Sequence, residues 1–345
     1  MTRYGFDWFS NLHVQAKHQL RVSRRMRILV IGTIVLVLGI PKQEDFLNTP
    51  QLRTANSGTQ SMKRAHIVYA ANKDQIIGVY ASVCSILKNT LTPDAITIHL
   101  FIIQNDTDIL NDGAFDAFQD YVQGMEATLE LHDYSPSDVK PFINMKFSEQ
   151  SSRGNLATPS NYVRFIVSDR LPHSDLCLWI DADTIVKGDI VPFMNNRDHT
   201  KFVSAFRREK ADIDDNVRAK LQSRGVDLAP SKPTFNAGIM VMNLKLLRET
   251  NASAKLANIC KLNDELSLWT NFGSQPPLQL LFSGDRFEHL PSTLYANALG
   301  YIQDYEVPEQ AMFLHWNGRH KPWLRDGFNT KYWEDICGNH LTGPP

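Results

Sequence analysis

Residues 177–190 read CLWIDADTIVKGDI. An oily run, Leu178-Trp179-Ile180, ends in two carboxylates, Asp181 and Asp183, with Ala182 between them. Side chains at i and i+2 of a strand share one face. Two like charges so placed repel unless a cation or a shared proton lies between them. A divalent ion with oxygen ligands is the simplest resolution. Taken alone, a D-x-D is more often a solvated strand end, here before the turn Lys187-Gly188-Asp189.

A second segment, HWNGRHKPW at 315–323, shifts that balance. His315 closes an apolar run and offers a neutral nitrogen to a metal, and Lys321 offers a point charge to phosphate oxygens. Gly318 lets backbone come close to a ligand. An Asp/Asp/His set suits Mn²⁺ better than Mg²⁺, which prefers oxygen ligands and retained waters. The run into Asp181 also resembles the first motif of haloacid-dehalogenase-type phosphatases, where the first Asp is the phosphorylated nucleophile. That motif ends its domain's first strand and enters a Gly-Thr turn. Here a long α/β pattern comes first, and Thr184-Ile185-Val186 follows.

The surrounding pattern predicts how these residues are held. Strands are expected at 65–71, 95–103, 127–134, 176–180, 201–206, 235–244 and 311–316. Between them helical spacing of apolar residues predicts helices over 75–90, near 107–123, at 245–262 and at 276–283. Such β-α-β-α-β alternation argues for a doubly wound, parallel sheet that binds ligands at the C-terminal edges of its strands.

With 345 residues, 43% hydrophobic and 21% charged, the chain is long and apolar enough for a substantial core. A formal net charge of −1 gives no electrostatic footprint for nucleic acid, and none is expected as a partner. Its four cysteines have no metal-ligand spacing. Cys84 and Cys177 lie in apolar runs and read as buried thiols, while a Cys260–Cys337 bridge stays open. Arg21, Arg24, Arg25 and Arg27 precede an uncharged run at 28–40. That run is shorter than an ordinary span. It is read as a signal anchor, with a cleaved signal peptide and a core helix as alternatives. As an anchor it leaves residues 1–27 cytosolic, 41–62 as a stem, 63–338 as one luminal domain and 339–345 as a tail. Two sequons, at Asn105 and Asn251, fit a luminal chain.

Six segments in order carry a family resemblance: HIVYAANKDQIIGVYASVCSI, NYVRFIVSDRLP, CLWIDADTIVKGDI, FNAGIMVMNL, GSQPPLQLLF and HWNGRHKPW. Across about 65–335 the chain resembles the family 8 glycosyltransferases, in particular the animal Golgi proteins that carry this domain. The resemblance implies an α/β GT-A fold, mostly parallel and Rossmann-like. It also implies a retaining transferase that moves a hexose or pentose from a UDP-sugar to a hydroxyl acceptor, with Mn²⁺ as cofactor. The setting would be the Golgi or ER-Golgi membrane, with residues 28–40 as a single type II span and a homodimer as one assembly.

The family's pattern carries over residue by residue. Ala70, Ala71 and Asn72, with Asp74, match the uridine segment, although many members have Asp at 72 and Asn at 74. Asp181, Ala182 and Asp183 match the metal motif, and His315 the third ligand. Gly318 and Lys321 would meet the phosphates. Arg164 matches a basic residue near the donor, equally readable as a helix-surface arginine. Asn236, Ala237 and Gly238 would line the donor sugar. Gln275 would face the anomeric carbon, so Gln275, Asn236 and Arg164 are the catalytic candidates. Ser274 stands where many members have Asp. That departure leaves a second reading, an idle protein that binds the sugar nucleotide without turning it over. With no carboxylate apparent for double displacement, front-face substitution is the expected mechanism.

Overall fold

The computed structural model describes residues 64–104, 107–111, 113–143, 158–270, 273–334 and 336. Two sheets organise them. The larger contains β1 (Ala65–Ala71), β2 (Ile96–Ile103), β3 (Thr128–Tyr134), β4 (Leu176–Ile180), β6 (Val203–Arg208), β7 (Thr234–Asn243) and β8 (Phe287–Leu290), in the spatial order β3-β2-β1-β4-β7-β6-β8. The smaller contains β5 (Thr184–Val186), β9 (Tyr295–Ala296) and β10 (Phe313–His315), in the order β5-β10-β9.

The first four strands of the large sheet are parallel, as the alternating pattern required. β2, ITIHLFII, is buried at every position but its last, as a parallel strand covered on both faces must be. Helix α1 (Ile76–Asn89) follows β1 and is buried from Gly78 to Leu87. It stops at Thr90, whose backbone is extended, and Lys88 sits in the last turn, where a cation meets the negative end of the helix dipole. One apolar cluster, around Phe101, Tyr162, Trp179 and Phe235, packs on one face of the sheet. Another, around Tyr69, Val83, Phe118 and Leu178, packs on the other.

The sheet is mostly parallel, as expected, and mixed in one place: β7 runs antiparallel to both β4 and β6. Three expectations need correction. The helical stretch near 107–123 is two helices, Thr107–Leu110 and Gly113–Gly124. The stretch at 245–262 is likewise broken into Leu244–Glu249 and Ala252–Leu266. The break falls at Asn251, whose φ of 52° is left-handed, a conformation Asn tolerates better than most residues. Finally, Cys84 is disulfide-bonded rather than a free thiol. Cys177 and Cys260 are free and buried, which excludes a bridge through Cys260. Burial pushes the Cys260 thiol up to about 12.

The expected anchor at 28–40, the tail and stem around it, Asn105 and Cys337 lie outside the described residues. Among the described residues, no helix is long and apolar enough to cross a membrane.

Candidate donor and metal site

The turn after β4 holds the acidic pair. Asp181 and Asp183 lie just beyond the strand, which ends at Ile180, so the two carboxylates do not share a strand face. Their convergence comes instead from the smaller sheet. β10 pairs antiparallel with β5 and sets His315 opposite Thr184, next to Asp183. The Trp316 amide donates to the Asp183 carbonyl at 2.9 Å and extends the pairing.

His315 Nε2 lies 3.2 Å from Asp183 Oδ1 and 3.9 Å from Asp181 Oδ2. One ligand atom from each of the three residues falls within 4.8 Å of the others. Two carboxylate oxygens and an imidazole nitrogen are a suitable donor set for a borderline divalent ion. His315 and Asp183 are buried, and Asp181 is about one-third exposed.

Gly238, on β7, is what lets the three meet. An added Cβ there would stand 2.5 Å from His315 Cε1 and 2.8 Å from Asp181 Oδ2. The antiparallel register also brings the Asp181 amide to the Gly238 carbonyl at 2.8 Å. Gly318 does similar work: its φ is 134°, and an added Cβ would collide with the Gly300 carbonyl at 2.5 Å. The two glycines form a local parallel bridge that fixes the loop beyond His315.

Each ligand is oriented by a neighbour. Asp181 Oδ1 accepts from Arg164 Nη2 at 2.9 Å and from Trp179 Nε1 at 3.0 Å. Arg164 is 6% exposed. Nη1 donates to the Ala237 carbonyl at 2.7 Å, Nε to the Asn161 carbonyl, and Nη2 also to Asn161 Oδ1. Its guanidinium stacks over Trp179. The helix-surface reading of Arg164 is therefore wrong. This side chain is spent on positioning Asp181 and the Ala237 backbone.

His315 Nδ1 lies 2.6 Å from the Tyr295 hydroxyl. The Tyr295 O–H can donate onward to Asn297 Oδ1 at 3.5 Å, leaving the phenol oxygen to accept from Nδ1–H and Nε2 free to ligate a metal. Burial, and then the charges of Asp181 and Asp183, raise the Tyr295 phenol well above its usual range, so it stays protonated. At Asp183 burial works upward, but Lys321 and His315 outweigh it and hold the carboxyl far below the usual range. Lys321 Nζ donates to Asp183 Oδ2 and, at 3.0 Å, to the Trp316 carbonyl.

On the far side of Gly238, Asn236 Oδ1 accepts from the Gly238 amide at 2.8 Å, and Gln275 Oε1 accepts from the Ala237 amide at 3.1 Å. Gln275 Nε2 donates to Asp212 Oδ2. Ser274, buried, gives its hydroxyl to Asn161 Oδ1 at 3.0 Å. At the end of β1, Ala71 is buried, Ala70 and Asn72 are half-buried, and Asp74 is exposed in the following turn. The Oδ1 of Asn72 is buried with no hydrogen-bond partner among the described residues.

Sequence reasoning missed Tyr295, Asn161, Trp179 and Asp212. Trp179 had a usable signal, since it lies only two residues before Asp181. Tyr295 and Asp212 come from a two-residue strand and a loop and carry no pattern of their own, whereas Asn161 stands in NYVRF, three residues before Arg164.

Comparison with known proteins agrees with this architecture. The family model for glycosyl transferase family 8 matches residues 66–327. Glycosyltransferase 8 domain-containing protein 1 of Bos taurus is 25% identical over 330 residues, covering 86% of this chain and 82% of that protein. The Arabidopsis thaliana protein described as probable galacturonosyltransferase-like 4 is 24% identical over 318 residues, covering 89% and 87%. Among solved structures, the galactosyltransferase LgtC in complex with donor and acceptor sugar analogs superposes with a TM-score of 0.55 at 20% identity, over 79% of this chain and 95% of that one. GlyE of Streptococcus pneumoniae TIGR4 gives 0.53 at 19%, over 79% and 60%. At such identities the structural likeness speaks to the fold, which is that of the GT-A glycosyltransferases. The family match spans most of the chain, and the chain belongs to glycosyl transferase family 8.

Proposed function

We propose that this glycosyltransferase uses a UDP-sugar as donor with Mn²⁺ as cofactor, and passes the sugar to a hydroxyl acceptor with retention of configuration. The observation that carries the reading is the convergence of Asp181, Asp183 and His315 ligand atoms within 4.8 Å. Their mixed oxygen and nitrogen set fits Mn²⁺. Bound there, the ion would neutralise charge on the departing diphosphate. The unpartnered Asn72 Oδ1 supports uridine, since an amide oxygen can accept from the ring N–H of a uracil.

The chain's own residues divide the remaining work. Lys321, already beside Asp183, supplies positive charge for phosphate oxygens. Asn236 and Gln275, which accept from the Gly238 and Ala237 amides, would border the donor sugar. Double displacement needs a free carboxylate at the anomeric carbon. Asp212 is nearest to Gln275, but its oxygens are taken by Gln275 and by Arg208 at 2.7 Å. Front-face substitution, with the leaving phosphate accepting the acceptor's proton, fits better.

A luminal, Golgi-type setting completes the proposal. It is supported by the Cys84 disulfide, a bond that persists in oxidising compartments. The exposed Asn251 of the second sequon supports it as well. The deciding experiment is a screen of UDP-glucose, UDP-galactose and UDP-xylose for Mn²⁺-dependent hydrolysis. We expect one donor to be turned over, and Asp183→Asn to reduce its turnover by more than the ~10–100-fold typical of a change around a metal's ligands. Tight UDP binding with no sugar released would establish the idle-binder reading instead.

A further inference from the structure

Away from the donor site, three imidazoles step across the first three strands. The parallel register puts His99 beside Val68 on β1 and beside Glu130 on β3, and puts His132 beside Phe101. His66 Nδ1 lies 2.9 Å from His99 Nε2, and His99 Nδ1 lies 2.9 Å from His132 Nε2. Glu130 Oε2 completes a triangle, 3.2 Å from His99 Nδ1 and 3.7 Å from His132 Nε2. Zinc bonds of ~2.0–2.1 Å in tetrahedral array set ligand atoms ~3.3 Å apart, so the three edges bracket the spacing such a site needs.

We propose that His99, Glu130 and His132 form a second metal site, selective for a Zn²⁺-class ion and separate from the donor site. The set is two nitrogens and one carboxylate oxygen, which leaves a fourth position for water. His66 is its supporting residue. By accepting a hydrogen bond from His99 Nε2–H at its own Nδ1, it leaves the Nδ1 lone pair of His99 pointing at the site. Burial, then repulsion from His66 and His132, lowers His99 to about 3, and burial also lowers His132. Exposure rises from 3% at His99 to 23% at His132 and 50% at Glu130, which opens an entry path from solvent.

The physical effect of filling this site is a cross-link between β2 and the edge strand β3. An edge strand has a neighbour on one side only and is the part of a sheet most open to fraying or wrong pairing. A bridging ion holds it in register without adding core.

The test uses the full chain carrying Asp181→Asn and Asp183→Asn, so that the donor site does not bind metal. After dialysis against Zn²⁺, we expect one retained equivalent per chain, a raised thermal midpoint, and tetrahedral d–d absorption when Co²⁺ replaces zinc. Adding His132→Ala should abolish all three, and adding His66→Ala should weaken zinc binding ~10–100-fold without changing the equivalents bound. Both Glu130 and His132 are partly exposed, so Glu130→Gln serves as a second variant should His132→Ala fail to fold. Zinc content and Co²⁺ spectra that are the same with and without the His132 and Glu130 changes would overturn the site. So would no retained metal in the parent.

Discussion

Gln275 is held by Asp212: its amide group donates to that carboxylate while its carbonyl oxygen accepts from the Ala237 amide at 3.1 Å. Ser274, next to Gln275, gives its hydroxyl to Asn161 instead. A carboxylate thus reaches this side of the site from a distant loop. Its side chain is only 2% exposed and is also clamped by Arg208 at 2.7 Å.

Asp212→Ala should release Gln275 without touching the metal ligands. A charged hydrogen bond worth ~1.5–3 kcal/mol is lost, so kcat should fall by about tenfold or more. The Mn²⁺ titration should be unchanged. An equal loss in metal affinity would show that Asp212 works through the ligands and not through Gln275.

Gly238→Ala puts a methyl group where His315 and Asp181 must stand. Overpacking of this kind costs ~1–3 kcal/mol in stability. Because the clash falls on two ligands, metal affinity should drop further than the melting temperature suggests. Thermal denaturation paired with a Mn²⁺ titration measures both. Wild-type affinity in the variant would contradict the geometry described.

Tyr295→Phe removes the hydroxyl 2.6 Å from His315 Nδ1. The ring packing against Phe206 survives, so the fold should too. We expect Mn²⁺ affinity to fall ~10–100-fold, as for other partners that orient a ligating imidazole, with little change in melting temperature.

Arg164→Lys preserves charge but loses the fork. An ammonium cannot reach Asp181, Ala237 and Asn161 at once. Both stability and turnover should decline, the first visible in chemical denaturation and the second at saturating Mn²⁺. A variant as active as the parent would mean that Asp181 needs no orienting partner.

Much of the sheet was readable because its strands are long, apolar runs separated by helices. β1 and β4 lie where their patterns put them. The reversed direction of β7 was not readable, since its apolar run says nothing about polarity along the sheet. Nor were β5 and β9, which have three and two residues and no room for a period. In the site, Asp181, Asp183 and His315 were legible by residue type. Tyr295 and Asp212 were not, because their roles arise from tertiary contacts. Arg164 shows the same limit from the other side: nothing local distinguishes a solvated arginine from one 6% exposed.

The pairing of β10 with β5 has a consequence in time as well as space. Synthesis proceeds from the N-terminus, so both aspartates leave the ribosome long before His315 does. A nascent chain halted after β9 would carry the acidic turn and the large sheet yet lack the imidazole that meets them. The cluster of two carboxylates and one imidazole therefore closes only once synthesis has passed His315, 132 residues after Asp183.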